Sequence, residues 1–193
     1  MEMSQNAALL VVDVQKGFEE AGFWGPRNNP RADDNIARLV DVWQATERPV
    51  VFVRHDSSKP GSPLRAGYEG NDLKEYVEER RGKGAAELFV TKTVNSAFYG
   101  TPDLDAWLKA EGISQVVVAG IQTNMCVETT ARMGGNLGYD VLVAYDATYT
   151  FDLEGPFGWR RSAEEVAQAS AVSLHGGGFA RVVTTQEVVD AAR

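Results

Sequence analysis

The sequence predicts an α/β fold built on a parallel sheet, and three observations predict it. Apolar, β-branched runs recur at residues 7–12, 49–53, 87–91, 115–119, 140–144 and 180–184. Most are separated by stretches with helical spacing, the alternation that βαβ units leave in a sequence. Reactive residues follow three of the runs: Asp13 after the first, Lys92 after the third and Cys126, the only cysteine of the chain, shortly after the fourth. In an open parallel sheet, ligands bind at the carboxyl ends of the strands, where several loops converge. An acid, a base and a thiol are therefore offered to one site.

The elements follow in order. Between the first two runs a helix is expected over Asp33 to Thr46, because Ile36, Leu39, Val40 and Trp43 fall on one face at helical spacing. Thr101 followed by Pro102 reads as an N-cap and a first-turn proline, opening a helix over Asp103 to Ala110 that Gly112 closes. Residues 123–133 are expected to form a helix carrying Cys126 in its first turn. Ser162 to Leu174 form another, stopped by Gly176, Gly177 and Gly178, and Thr185 is expected to cap a last short helix through Ala192. Residues 17–32, 54–72 and 147–161 remain irregular. Loops of that length are usually pocket walls or lids.

Size and composition bound the rest. The chain of 193 residues suits one domain, residues 1–193, and 44% hydrophobic with 24% charged residues is ordinary for a globular protein. A net charge of -8 argues against a nucleic-acid or anionic-membrane partner, since both favour a basic surface. One cysteine forms no internal disulfide. No basic n-region opens the chain, and no run approaches the roughly 18 to 20 apolar residues that span a bilayer. A cytoplasmic location is expected.

A free thiol titrates near about 8.5, so only a few per cent is thiolate at neutral pH. Lowering that value by about two units takes roughly 2.7 kcal/mol of preferential stabilisation of the anion. The first turn of a helix and the charge of Lys92 are the two sources legible in the sequence, so a primed thiolate is expected. Asp13 then serves as proton acceptor from the thiol and donor to a leaving group.

Three segments carry a resemblance: Leu10-Val-Val-Asp13-Val-Gln15 with Gly17-Phe18, Thr91-Lys92 with Ser96-Ala-Phe98, and Gly120-Ile-Gln-Thr123-Asn-Met-Cys126-Val127. Together with Asp146-Ala147 and Phe179-Ala180, they make the chain resemble the isochorismatase-like cysteine hydrolases, which include nicotinamidases and N-carbamoylsarcosine amidases. The resemblance implies a three-layer α/β/α arrangement, Rossmann-like, with a six-stranded parallel sheet. It also implies a catalytic triad of Asp13, Lys92 and Cys126. It places a cis peptide at Ile121-Gln122, with the backbone N–H groups of Gln122 and Cys126 aimed at an oxyanion, and it implies a homo-oligomer, a dimer or tetramer.

The chain departs from the nicotinamidases after the second run. There His55 and Asp56 are adjacent rather than convergent, and the other histidine, His175, lies far off. No metal and no cofactor are expected. His55 is expected to line the pocket instead, with Phe18, Trp24, Phe98, Tyr149 and Trp159 as further wall candidates among the aromatics of the loops, and Phe23-Trp24 as an alternative subunit contact. The leading reading is hydrolysis of an amide or related C–N bond of a small-molecule substrate through a thioester. The alternatives are vinyl-ether hydrolysis of the isochorismate type, driven by aspartate protonation, and a catalytically silent oligomeric scaffold.

Overall fold

The computed structural model of the chain describes residues 2–193. Strand β1 (Ala8–Val12) is buried along its whole length because it lies inside the sheet, with a parallel neighbour on each side. One neighbour is β2 (Val50–His55), itself paired with β3 (Glu87–Lys92). The other is β4 (Gln115–Ile121), followed outward by β5 (Asp140–Tyr149), which runs well beyond its apolar core. A hairpin of β6 (Leu153–Glu154) and β7 (Arg160–Arg161) stands apart, and β8 (Arg181–Val183) closes the far edge. The six-stranded parallel sheet runs β3-β2-β1-β4-β5-β8, and its order reverses between β1 and β4. Ligands bind at such a switch point, outside the carboxyl ends of the strands.

Alternation along β1 builds the two core layers. Leu9 and Val11 face one side, with Ile36, Leu39, Val40 and Trp43 of α2 (Ala32–Ala45) and Val188 and Val189 of α7 (Thr185–Ala192). Ala8, Leu10 and Val12 face the other. There they meet Leu104 and Leu108 of α4 (Leu104–Ala110), Ala131 of α5 (Glu128–Asn136) and Leu174 of α6 (Ala163–Gly176). Period-2 burial on both faces explains why β1 reads as a continuous apolar run. The single turns α1 (Ala21–Trp24) and α3 (Glu75–Glu78) lie in the long connections. No helix among the described residues is long and apolar enough to cross a membrane.

Two caps differ from expectation. The Thr101-Pro102 bond is cis, and Thr101 exchanges backbone hydrogen bonds with Thr91 at 2.8 and 2.9 Å, so it belongs to a β-bridge rather than a helix. Asp103 caps α4 instead, its carboxylate accepting from the Ala106 N–H at 3.0 Å. The last helix is capped by Thr184, not Thr185, in a reciprocal box with Glu187.

Gly120 sets how closely the two central strands approach at the site. Its φ is +129°, and a Cβ there would lie 2.0 Å from the Val12 carbonyl oxygen, so no side chain fits.

Candidate active site

Each reactive residue is delivered by a strand end, and each end is shaped locally. Asp13 leaves β1 with φ +52°, a left-handed conformation that aspartate tolerates better than most residues and that functional sites often hold. Its N–H donates to the Val53 carbonyl at 2.9 Å. Lys92 ends β3, beside His55 at the end of β2. After β4 the Ile121-Gln122 bond is cis, where the resemblance places one, and residues Thr123–Val127 form a single wide π turn before α5 begins. Turns of this kind recur at functional sites. Threonines at the end of β5 hold the turn: Thr123 Oγ1 lies 2.8 Å from Thr148 Oγ1, and Thr150 Oγ1 donates to Asn124 Oδ1 at 2.5 Å.

The three groups converge. Lys92 Nζ donates to Asp13 Oδ2 at 2.5 Å with both side chains fully buried. The sulfur of Cys126 and a carboxylate oxygen of Asp13 lie within 4.8 Å of each other and of a His55 ring nitrogen. Asp13 Oδ1 is buried and has no hydrogen-bond partner. Burial works against the Lys92 charge, but Asp13 and the Cys126 sulfur outweigh it and raise its pKa. Burial also pushes the Cys126 thiol up, Asp13 adds to this, and Lys92 offsets only part. This corrects the expected primed thiolate. The Lys92 charge is already engaged by Asp13, and the π turn replaces the regular helical first turn on which the dipole argument relied.

Asp13, His55 and Cys126 together are a donor set that zinc favours. They do not fit a resident metal here, because the Lys92 ammonium already bonds Asp13 and lies 3.2 Å from His55 Nδ1. A divalent cation would have to share that space with a positive charge. Asp56 is engaged elsewhere, by Arg54 at 2.9 Å and Asn71 at 3.0 Å.

Above these groups opens a cavity of about 410 Å³. One wall is aromatic: Trp24 packs on Phe18 at 5.0 Å and stacks on Phe151 at 5.4 Å. The lining also includes the polar residues Ser57, Ser58, Lys59 and Ser62. Of the expected wall residues, Phe18, Trp24 and His55 line the cavity, together with Gln122. Three do not. Phe98 stacks on Tyr139 at 5.8 Å in the core layer beneath α5. Tyr149 is fully buried behind Phe151, with the Arg27 guanidinium 4.2 Å above its ring. Trp159 stands exposed on the β6–β7 hairpin beside Phe157.

Other residues contribute as well, two of them further aromatics of the loops. Phe23 reaches the cavity rather than only the surface, and Phe151, Met125, Leu64 and Leu153 add to the apolar lining. Gln15 and Asn71, both buried, tie the site together beneath it: Gln15 Nε2 donates to the carbonyls of His55 and Asn71 at 3.0 and 2.8 Å. The signal for Phe151 was its place just past the carboxyl end of β5. Gln15 and Asn71 gave none beyond polarity.

A thiol, a carboxylate and an ammonium group gathered at the switch point of a parallel sheet define an α/β protein with a cysteine-centred site. Residues 7–187 match the Isochorismatase domain family, and the chain belongs to that family of hydrolases. It is 37% identical to the isochorismatase family protein YrdC of Bacillus subtilis over 188 residues, 97% of each chain. It is 34% identical to Nicotinamidase 3 of Arabidopsis thaliana over 161 residues, covering 78% of this chain and 77% of the relative. A solved isochorismatase-family structure from Chromobacterium violaceum superposes with a TM-score of 0.91 at 40% identity, covering 100% of this chain and 96% of the other.

Proposed function

We propose that the protein hydrolyses an amide or related C–N bond of a small molecule through a thioester on Cys126, with Asp13 and Lys92 completing the triad. The observation that carries this is the partnerless Oδ1 of Asp13, a buried acceptor beside a thiol that is held protonated. A group in that state is poised to take a proton only as the sulfur bonds to carbon. The thiol proton moves to Asp13 while Sγ attacks the carbonyl carbon, and the backbone N–H groups of Gln122 and Cys126 receive the oxyanion. Collapse breaks the C–N bond, and Asp13 returns the proton to the departing amine or ammonia. Water then attacks the thioester carbonyl carbon with one proton going to Asp13, the C–S bond breaks, and Asp13 passes that proton to the departing sulfur, which releases a carboxylic acid and restores the thiol and the carboxylate. Lys92 holds the carboxylate in register throughout and offsets the charge that develops on sulfur. The nicotinamidase among the relatives is named for an amide substrate, which favours C–N over C–O cleavage.

The aromatic wall supports a flat or apolar acyl group seated against Trp24 and Phe151. The test is acyl trapping. The enzyme is mixed with a panel of simple aliphatic and aromatic carboxamides, quenched in acid within seconds and weighed intact. The expected result is a mass increase equal to the acyl group, mapped to Cys126. Substrate turnover with no adduct at Cys126 under single-turnover conditions would refute the thioester.

A further inference from the structure

The ammonium of Lys92 has three N–H bonds to place, and the site accounts for each. One meets Asp13 Oδ2 at 2.5 Å and a second points to His55 Nδ1 at 3.2 Å, which leaves the third for the Cys126 sulfur, the neighbour that also favours the Lys92 charge. Because the ammonium only donates, His55 Nδ1 must accept. The imidazole is therefore neutral, with its proton on Nε2. The tautomer follows from the neighbours rather than from the ring itself.

The backbone of His55 is held as firmly as its ring. Its N–H donates to Gln15 Oε1 at 2.9 Å, and its carbonyl accepts from Gln15 Nε2 at 3.0 Å and Asn71 Nδ2 at 3.1 Å. Gln15 and Asn71 are themselves buried, so the imidazole has a fixed base. Two fixed acceptors on a tetrahedral ammonium determine the direction of its third N–H.

We propose that His55 is a positioning residue for Lys92: its neutral Nδ1 locks the ammonium between Asp13 and Cys126, so that the third N–H meets the sulfur as negative charge forms there. The catalytic meaning rests on the thioester reading above, while the effect on the sulfur does not. Burial first and the Lys92 charge second lower the His55 pKa, against smaller opposing contributions from Asp13 and Asp56. At neutral pH the lock is therefore closed. Acid opens it, because an imidazolium cannot accept from Lys92 and would set a second cation beside it. The charged and titratable groups facing the ring are Lys92 from β3, Asp13 from β1, Asp56 from the loop after β2 and Cys126 from the π turn.

Iodoacetamide alkylation of Cys126, followed by intact mass across pH 5 to 9, reads the lock without any substrate. In the unsubstituted enzyme the logarithm of the rate should rise by one per pH unit near neutrality and more steeply below the His55 titration, where a second proton must leave. His55→Asn supplies an acceptor oxygen near the Nδ1 position that does not titrate. It should keep the neutral rate within about threefold and straighten the acid limb to unit slope. His55→Leu removes the acceptor and should slow alkylation about tenfold at pH 8, in the range that lost orienting partners cost. Equal rates in the Leu and Asn variants, or an acid limb that stays steep in His55→Asn, overturn the proposal. If the Leu variant fails to fold, the slope in the Asn variant decides alone. A closed lock in an enzyme that never forms an acyl adduct would reject the thioester and leave the positioning role standing.

Discussion

Replacing Cys126 by alanine is expected to reduce C–N bond cleavage by about ten-thousand-fold or more, the cost of deleting a nucleophile whose partners cannot act without it. The fold should survive. The side chain is buried but small, and its loss removes no ion pair, since Lys92 and Asp13 bond each other directly. A protonated resting thiol makes a second reading of the same residues concrete, because proton-driven cleavage of a vinyl ether needs only the carboxyl group of Asp13. The two readings separate on a pair of variants. For a thioester route, Cys126→Ala and Asp13→Asn both abolish turnover, and only the latter still presents a sulfur to an acylating substrate. For ether cleavage, Cys126→Ala retains activity while Asp13→Asn loses it. Steady-state rates of both variants on carboxamides, and on an enol-ether acid such as an isochorismate-type substrate, settle the matter. Retained amide hydrolysis in Cys126→Ala would end the thioester reading.

The strand ends were legible in the sequence for a reason that belongs to the fold class. A parallel sheet buried on both faces writes its strands as apolar runs, so the first polar residue after each run marks the face where ligands bind, and Asp13 and Lys92 stand there. The stripe of Ile36, Leu39, Val40 and Trp43 was legible because helical spacing alone defines it. Pairing across the sheet was not. Knowing that Lys92 sits 2.5 Å from Asp13 requires the register of β1, β2 and β3, and without that distance the charge of Lys92 appeared free to lower the thiol. The walls failed for a similar reason. Phe98, Tyr149 and Trp159 all lie near strand ends in sequence, but a short turn carries Phe98 under α5, and β5 continues far enough to bury Tyr149. The Thr184 cap, by contrast, is written in the chain as Thr-x-x-Glu, one residue before Thr185.

The largest effect on stability is expected from Lys92→Met. The Lys92–Asp13 pair has no solvent contact on either side chain. Removing one partner leaves the Asp13 carboxylate buried with nothing to balance it, a loss of about 3–5 kcal/mol by analogy with other broken buried pairs. Against a typical total of about 5–15 kcal/mol, that is a third or more of the stability of a domain. The double variant Asp13→Asn/Lys92→Met should recover much of it, since two neutral side chains of similar volume remove the uncompensated charge rather than the pair's net contribution. The pH dependence has a definite sign. Lys92 is held above its ordinary value of 10.5, so its contribution is fully present below about that pH and is lost as pH rises through the raised folded value. Cys126, also held above its ordinary range, acts in the same direction. Urea melts at pH 7 and at pH 11 should therefore show the gap between the unsubstituted protein and Lys92→Met at its widest at pH 7 and narrower at pH 11. A gap that stays constant across that range would mean that the methionine is disfavoured by shape alone and that the ion pair adds nothing to the fold. A gap that narrows, with recovery in the double variant, would mean that the ammonium beside it is what makes the buried carboxylate tolerable to the fold.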